Sequence, residues 1–192
     1  MASILTIPCP HCHKLNRVPS ERRGEGGKCG QCHKPLFAGH PINLDAAHFD
    51  RHAGAADLPL FVDFWAAWCG PCRAMAPVFE SAAREFEPRL RLAKVDTDAE
   101  PSLAARYQIQ AIPTMVLIRD GRELARHSGA IPAGTLRGLG RAACERPLML
   151  GSDEMGHLGL AMQMKAVNRL LHDAVGVGYP LVLPQMLHPR LD

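Results

Sequence analysis

Leu60-Phe61-Val62-Asp63-Phe64-Trp65 is an apolar run broken by one carboxylate. A run of this length, bounded by turn residues, predicts a strand buried on both faces. Beyond Trp68-Cys69-Gly70-Pro71-Cys72 the period changes. Met75, Val78 or Phe79, Ala82 and Phe86 recur at helical spacing. The chain therefore hands over from a buried strand to a helix N-terminus at a Cys-x-x-Cys pair. Around this unit, Ile42-Asn43-Leu44 predicts a short edge strand, and Asp45 is placed to cap a helix over 46–53. Leu90 to Val95 alternates as a strand does. Asp98 or Glu100 should cap a helix containing Leu103 and Tyr107. Thr114 to Ile118 predicts a buried strand and the more polar Arg122 to Ser128 an edge strand. Residues 133–145 predict a closing helix with Leu136, Leu139 and Ala143 inward, weakened by Gly134, Gly138 and Gly140. Strands alternating with helices and ending in two adjacent strands give an α/β fold, a mixed central sheet with helices on both faces.

The first 37 residues follow another logic. Cys9-Pro10-His11-Cys12 is followed, sixteen residues on, by Cys29-Gly30-Gln31-Cys32. Each pair forms a tight knuckle presenting two sulfurs, and two knuckles supply the four thiolates of a closed, tetrahedral, structural zinc site. A segment this small should depend on its metal for folding. His11, His13 and His33 flank the knuckles as alternative ligands or, with four sulfurs already present, as solvated surface. Phe37-Ala38-Gly39-His40-Pro41 reads as a linker. The expected organisation is thus a zinc ribbon over 1–37, a catalytic domain over 38–146 and an extension over 147–192. Met155, Leu158, Met162, Val167, Leu170 and Leu171 suggest an amphipathic helix over about 154–174, and five Gly and Pro residues follow it.

Composition narrows the partners. A hydrophobic content of 47% suffices for a packed core, and a net charge of +3 gives no polybasic character overall. The charge is uneven, however: Lys14, Arg17, Arg22, Arg23, Lys28 and Lys34 face only Glu21 and Glu25 in the first 34 residues. Residues 9–34 offer no aromatic for base stacking, so nucleic acid is not expected as a partner. No stretch suits a membrane helix. The chain reaches Pro8-Cys9 too early for a secretory signal, and paired cysteines without one point to metal and redox chemistry in the cytoplasm. A monomer is expected.

At the helix N-terminus the free backbone N–H groups and the positive end of the macrodipole favour a thiolate, which makes Cys69 the candidate nucleophile. Pro71 suits an early helical position. Cys72, one turn in, should be less exposed and act as the resolving thiol. Asp63 should have its pKa raised by burial and, within reach of Cys72, could take that thiol's proton. Lys94 could be its partner on a neighbouring strand. Trp68 is expected at an exposed rim, and Cys144 as a half-buried helix residue without redox duty.

Trp65-Ala66-Ala67-Trp68-Cys69-Gly70-Pro71-Cys72 resembles the active-site signature of the thioredoxin family. The similarity continues through Pro77, Ala111-Ile112-Pro113-Thr114, Asp120-Gly121 and Gly129-Ala130, and covers about residues 42–146. With the knuckles it narrows to the zinc-containing bacterial branch, thioredoxin 2. The resemblance implies a thioredoxin fold, a helix kinked at Pro77, a cis Pro113 facing the disulfide and a hairpin turn at Asp120-Gly121. It implies a protein dithiol–disulfide oxidoreductase: Cys69 attacks a protein disulfide, and Cys72, helped by Asp63, resolves the mixed disulfide. Substrates would dock on Trp68, Pro71, Ile112, Pro113 and Gly129, and thioredoxin reductase would recycle the oxidised form. One structural Zn²⁺ is the implied cofactor. Two other readings stand beside it. One is a zinc-dependent redox-sensing chaperone or adaptor. The other is an isomerase or oxidase, against which Gly-Pro between the cysteines argues.

Overall fold

The computed structural model describes residues 3–144, so the expected extension and its amphipathic helix lie outside the described residues. Among the described residues, no helix is long and apolar enough to cross a membrane.

The expected sheet forms from β3 (Ile42–Asn43), β4 (Leu60–Trp65), β5 (Arg91–Asp96), β6 (Thr114–Arg119) and β7 (Arg122–Ser128). Their spatial order is β3-β5-β4-β6-β7. The apolar β4 is central, parallel to β5 and antiparallel to β6, and the polar β7 is an edge, as its composition predicts. Asp120 and Gly121 turn the β6–β7 hairpin with φ of 51° and 71°, the left-handed values that a tight hairpin turn needs.

Successive residues of a strand face opposite sides, and β4 sorts its side chains accordingly. Leu60, Val62 and Phe64 pack with Phe49 of α1 (Ala46–Ala53) and Leu103 of α3 (Pro101–Arg106). Phe61 packs on the opposite side with Met75, Phe79 and Phe86 of α2 (Gly70–Phe86) and Leu136 and Leu139 of α4 (Ala133–Cys144). Asp63 shares the parity of Phe61, so it lies on the side covered by α2, the helix that carries Cys72.

Two local expectations need correction. Asp45 caps α1 through His48 N–H, but α3 receives no side-chain cap. The Glu100 carboxylate instead accepts from Ala46 N–H at the start of α1, and Asp98 accepts from the Trp68 indole. Gly140 is not merely a weak point of α4. A Cβ there would lie 2.3 Å from the Phe86 ring, so the helix reaches α2 only because the side chain is missing. Gly140→Ala should therefore lower stability by about 1–3 kcal/mol, overpacking outweighing the roughly 1 kcal/mol of helix propensity gained. At Gly138 the same change meets open space and should stabilise by about 0.5–1 kcal/mol. Urea melts of the two variants should move in opposite directions.

The four-cysteine segment contains a hairpin not foreseen from its sequence, β1 (Ile4–Pro8) paired antiparallel with β2 (Leu15–Pro19). It packs on the larger unit. Leu5 and Ile7 bury against Leu58, and Asp57 uses its carboxylate and its N–H on Thr6 N–H and Thr6 carbonyl. His13 leaves the surface expected for it: it stacks on His48 and its Nδ1 lies 3.0 Å from His52 Nε2. Burial keeps His52 neutral, its pKa pulled down to about 3. Behind the second knuckle, Arg91 donates to Leu36 carbonyl at 2.7 Å and pairs with Glu87 at 2.9 Å, both side chains buried. Asp57, Leu58 and Arg91 all stand at the N-terminal ends of β4 and β5. Cys69 follows the C-terminal end of β4, roughly 16 Å of strand away.

Candidate redox and metal sites

Cys69 is the N-cap of α2, with Gly70 and Pro71 opening the helix. Its Sγ is bonded to Cys72 Sγ and accepts from Cys72 N–H at 3.2 Å. That N–H is one of the orphan donors of a helix start, aimed at the atom that becomes negative when the disulfide is reduced. Cys72 is the less exposed of the two, at 1% against 4%. Cys69 Sγ also lies 3.8 Å from the Ile112 carbonyl oxygen. The loop before β6 is thus brought against the disulfide, with the Ile112–Pro113 peptide cis.

The expected docking residues surround this point unequally. Trp68 is 68% exposed, its indole N–H held by Asp98 at 2.8 Å. Pro71 is exposed, Ile112 and Gly129 are half-buried, and Pro113 is buried. Gly129 N–H donates to the Pro113 carbonyl at 2.7 Å, with Gly129 at φ 100°. Arg73 ties the approach loop by donating to Ala67 carbonyl. Asp98 is the contact that sequence reasoning missed: nothing in its spacing singles it out, and it was expected as a helix cap.

Asp63 is fully buried, and neither carboxylate oxygen has a hydrogen-bond partner. Burial pushes its pKa up to about 6, against the opposing charge of Lys94. Lys94 is its register neighbour on β5, but the ammonium sits over the Trp65 ring, 4.0 Å from its centroid. It therefore acts on Asp63 through space and not by a bond. The sign for stability follows from linkage. An acid whose folded pKa exceeds its ordinary 3.8 binds more protons folded than unfolded. Stability then falls as pH rises from about 4 to 6, by roughly 3 kcal/mol for a two-unit shift. Asp63→Asn should flatten this slope: the oxidised variant should gain relative to the parent at pH 8 and gain little at pH 4, measured by chemical denaturation.

The four ribbon cysteines converge. The sulfurs of Cys9, Cys12, Cys29 and Cys32 all lie within 4.8 Å of one another, with Cys9–Cys32 at 3.5 Å and Cys12–Cys29 at 3.7 Å. Four thiolates about 2.3 Å from a tetrahedral zinc would be about 3.8 Å apart, so the donor set fits that ion. The knuckles repeat each other. His11 and Gln31 N–H approach Cys9 and Cys29 Sγ at 3.4 Å, and His13 and His33 take left-handed φ of 57° and 59°. His11 and His33 are exposed.

A cysteine pair capping a helix, facing a cis proline and backed by a buried carboxylate, defines a redox-active dithiol on an α/β scaffold. Residues 40–139 match the family model described as Thioredoxin, and residues 8–34 match that described as Thioredoxin 2, N-terminal. The chain belongs to the thioredoxin family, joining its fold to the N-terminal zinc ribbon domain. Thioredoxin C-3 of Corynebacterium nephridii is 42% identical over 127 residues, covering 66% of this chain and 87% of that protein. The thioredoxin of Porphyra purpurea is 42% identical over 90 residues, covering 47% of this chain and 84% of that one. A solved mutant thioredoxin from Halobacterium salinarum aligns with a TM-score of 0.52 at 29% identity, covering 57% of this chain and 95% of that one.

Proposed function

We propose that this thioredoxin-family oxidoreductase reduces protein disulfides through Cys69 and Cys72, with residues 38–146 as the catalytic domain and residues 1–37 as a ribbon built on one structural Zn²⁺. The observation that carries the reading is Cys72 N–H directed at Cys69 Sγ, the sulfur at the helix N-terminus. The Cys69 thiolate attacks one substrate sulfur, the substrate S–S bond breaks, and one substrate thiolate leaves. Cys72, deprotonated through Asp63, then attacks Cys69 Sγ and expels the second substrate thiolate. Two electrons pass to the substrate, which takes up two protons in all, and the Cys69–Cys72 disulfide forms. Trp68, Pro71, Ile112 and Gly129 offer the shallow apolar face around the sulfurs, and Pro113 supports it from beneath. Lys94 restrains the rise of the Asp63 pKa. A bound zinc would supply cross-linking of the two knuckles through Cys9, Cys12, Cys29 and Cys32, and no step of the exchange involves it.

The test is reduction of insulin with NADPH and a bacterial thioredoxin reductase. The reading expects turnover that disappears when the reductase is omitted. A zinc-loaded protein with a free Cys69 and no turnover would refute it.

A further inference from the structure

The ribbon presents a surface that disulfide exchange does not use. An open cleft of about 750 Å³ runs along β2 from Leu15 to Val18, Arg17 included, lined also by Lys14, Arg22, Lys28 and Leu36. All four cations are exposed. The one carboxylate in the lining, Glu25, is already paired with Arg22 at 2.8 Å. Six cations against two carboxylates leave the first 34 residues an excess of four positive charges. A tetrathiolate zinc site would carry two negative charges, so a positive excess survives it.

The backbone of the cleft wall is as telling as its charge. Opposed residues of an antiparallel pair alternate between exchanging two hydrogen bonds and exchanging none. Thr6 spends its N–H and its carbonyl on Asp57, so Thr6 and its register partner Arg17 form a pair that exchanges none. The N–H and carbonyl of Arg17 therefore point away from β1, toward the cleft, and no other described strand pairs with β2 there. β1 has its outer edge covered by the catalytic domain; β2 does not.

We propose that β2 binds an extended acidic segment of a partner protein, which adds as a third strand to the ribbon sheet. An added strand takes the free N–H and carbonyl groups of β2, and its carboxylates meet Arg17 and Lys28. The five residues of β2 set the length of the segment recognised, roughly 17 Å. A second copy of this chain is disfavoured, because two β2 edges would bring arginines together, and like charges on adjacent strands repel. The ribbon docks at the end of the sheet opposite Cys69, so a partner held here leaves the disulfide face free. For a client protein, such a second point of attachment raises the effective concentration of its disulfide.

The experiment titrates the zinc-loaded full-length chain into a fluorescein-labelled hexapeptide of alternating glutamate and valine, read by anisotropy and by amide NMR. Saturable binding that shifts the Leu15 and Arg17 amides is expected. The double variant Arg17→Glu, Lys28→Glu, whose zinc content and insulin reduction should match the parent, should weaken binding by about tenfold or more. A control peptide of the same sequence with every backbone nitrogen methylated keeps its charge but cannot donate to the strand or fit against its edge, and it should fail to bind. Equal binding of that control, or no binding of the first peptide, overturns strand addition. Tighter binding of a thymidine oligonucleotide of equal charge overturns the assignment to an acidic polypeptide.

Discussion

Cys69→Ser should reduce insulin turnover to background, a loss of roughly three orders of magnitude or more, because exchange requires thiolate attack and an alcohol supplies none at neutral pH. Cys72→Ser should fail differently. Cys69 sits at the helix start with Cys72 N–H aimed at its sulfur, and serine keeps that N–H. The first exchange should therefore proceed, and the product should persist as a covalent adduct. Mass spectrometry of Cys72→Ser mixed with disulfide-intact insulin should show one whole insulin molecule attached per chain, its two chains still joined by the disulfide left unattacked, and released by dithiothreitol. If Cys69→Ser accumulates the adduct instead, the roles of the two sulfurs are reversed. Asp63→Asn acts upstream of resolution. It should slow adduct breakdown above pH 6 while leaving adduct formation nearly unchanged, which separates proton transfer from a general loss of structure.

The outcome also bears on what the sequence makes legible. The strand and helix that carry the site can be read because β4 is an uninterrupted apolar run and α2 keeps a strict helical period. The burial of Asp63 could be anticipated for the same reason: a carboxylate within such a run has nowhere else to go. Contacts between distant segments could not. Asp98 holding Trp68 joins residues 30 apart, and Arg91 reaching Leu36 carbonyl joins residues 55 apart. Neither polar residue carries a local pattern that names its partner. Gly140 shows the same limit: propensity marks it as a defect, and only the Phe86 ring reveals that the missing side chain is what allows the helices to meet. The ribbon's cysteine spacing announces its donor set, but its hairpin is too short and too polar to declare itself by alternation.

Stripping zinc should unfold the ribbon and spare the redox site. Among the described residues of the ribbon the buried apolar ones are few, namely Leu5, Ile7, Leu36 and the knuckle cysteines Cys9 and Cys29, and a segment of this size seldom folds on such a core alone. Structural zinc sites contribute roughly 10–16 kcal/mol to small domains, more than these contacts can replace. Chelation at mildly acidic pH, where protons compete with the metal for the thiolates, should therefore abolish amide protection across β1 and β2. Loss of the ribbon also uncovers Leu58 and the Phe37 side of Arg91, so binding of a hydrophobic dye should rise with zinc release. The Cys69 end of β4 lies roughly 16 Å from that surface, and Arg91 keeps Glu87 as its partner. Insulin reduction by the chelated protein should accordingly stay within about twofold of the parent, as for independent sites. A collapse of activity on zinc removal would mean that the ribbon is coupled to the disulfide through the sheet, and would favour a zinc-dependent redox sensor over a reductase with a structural ribbon.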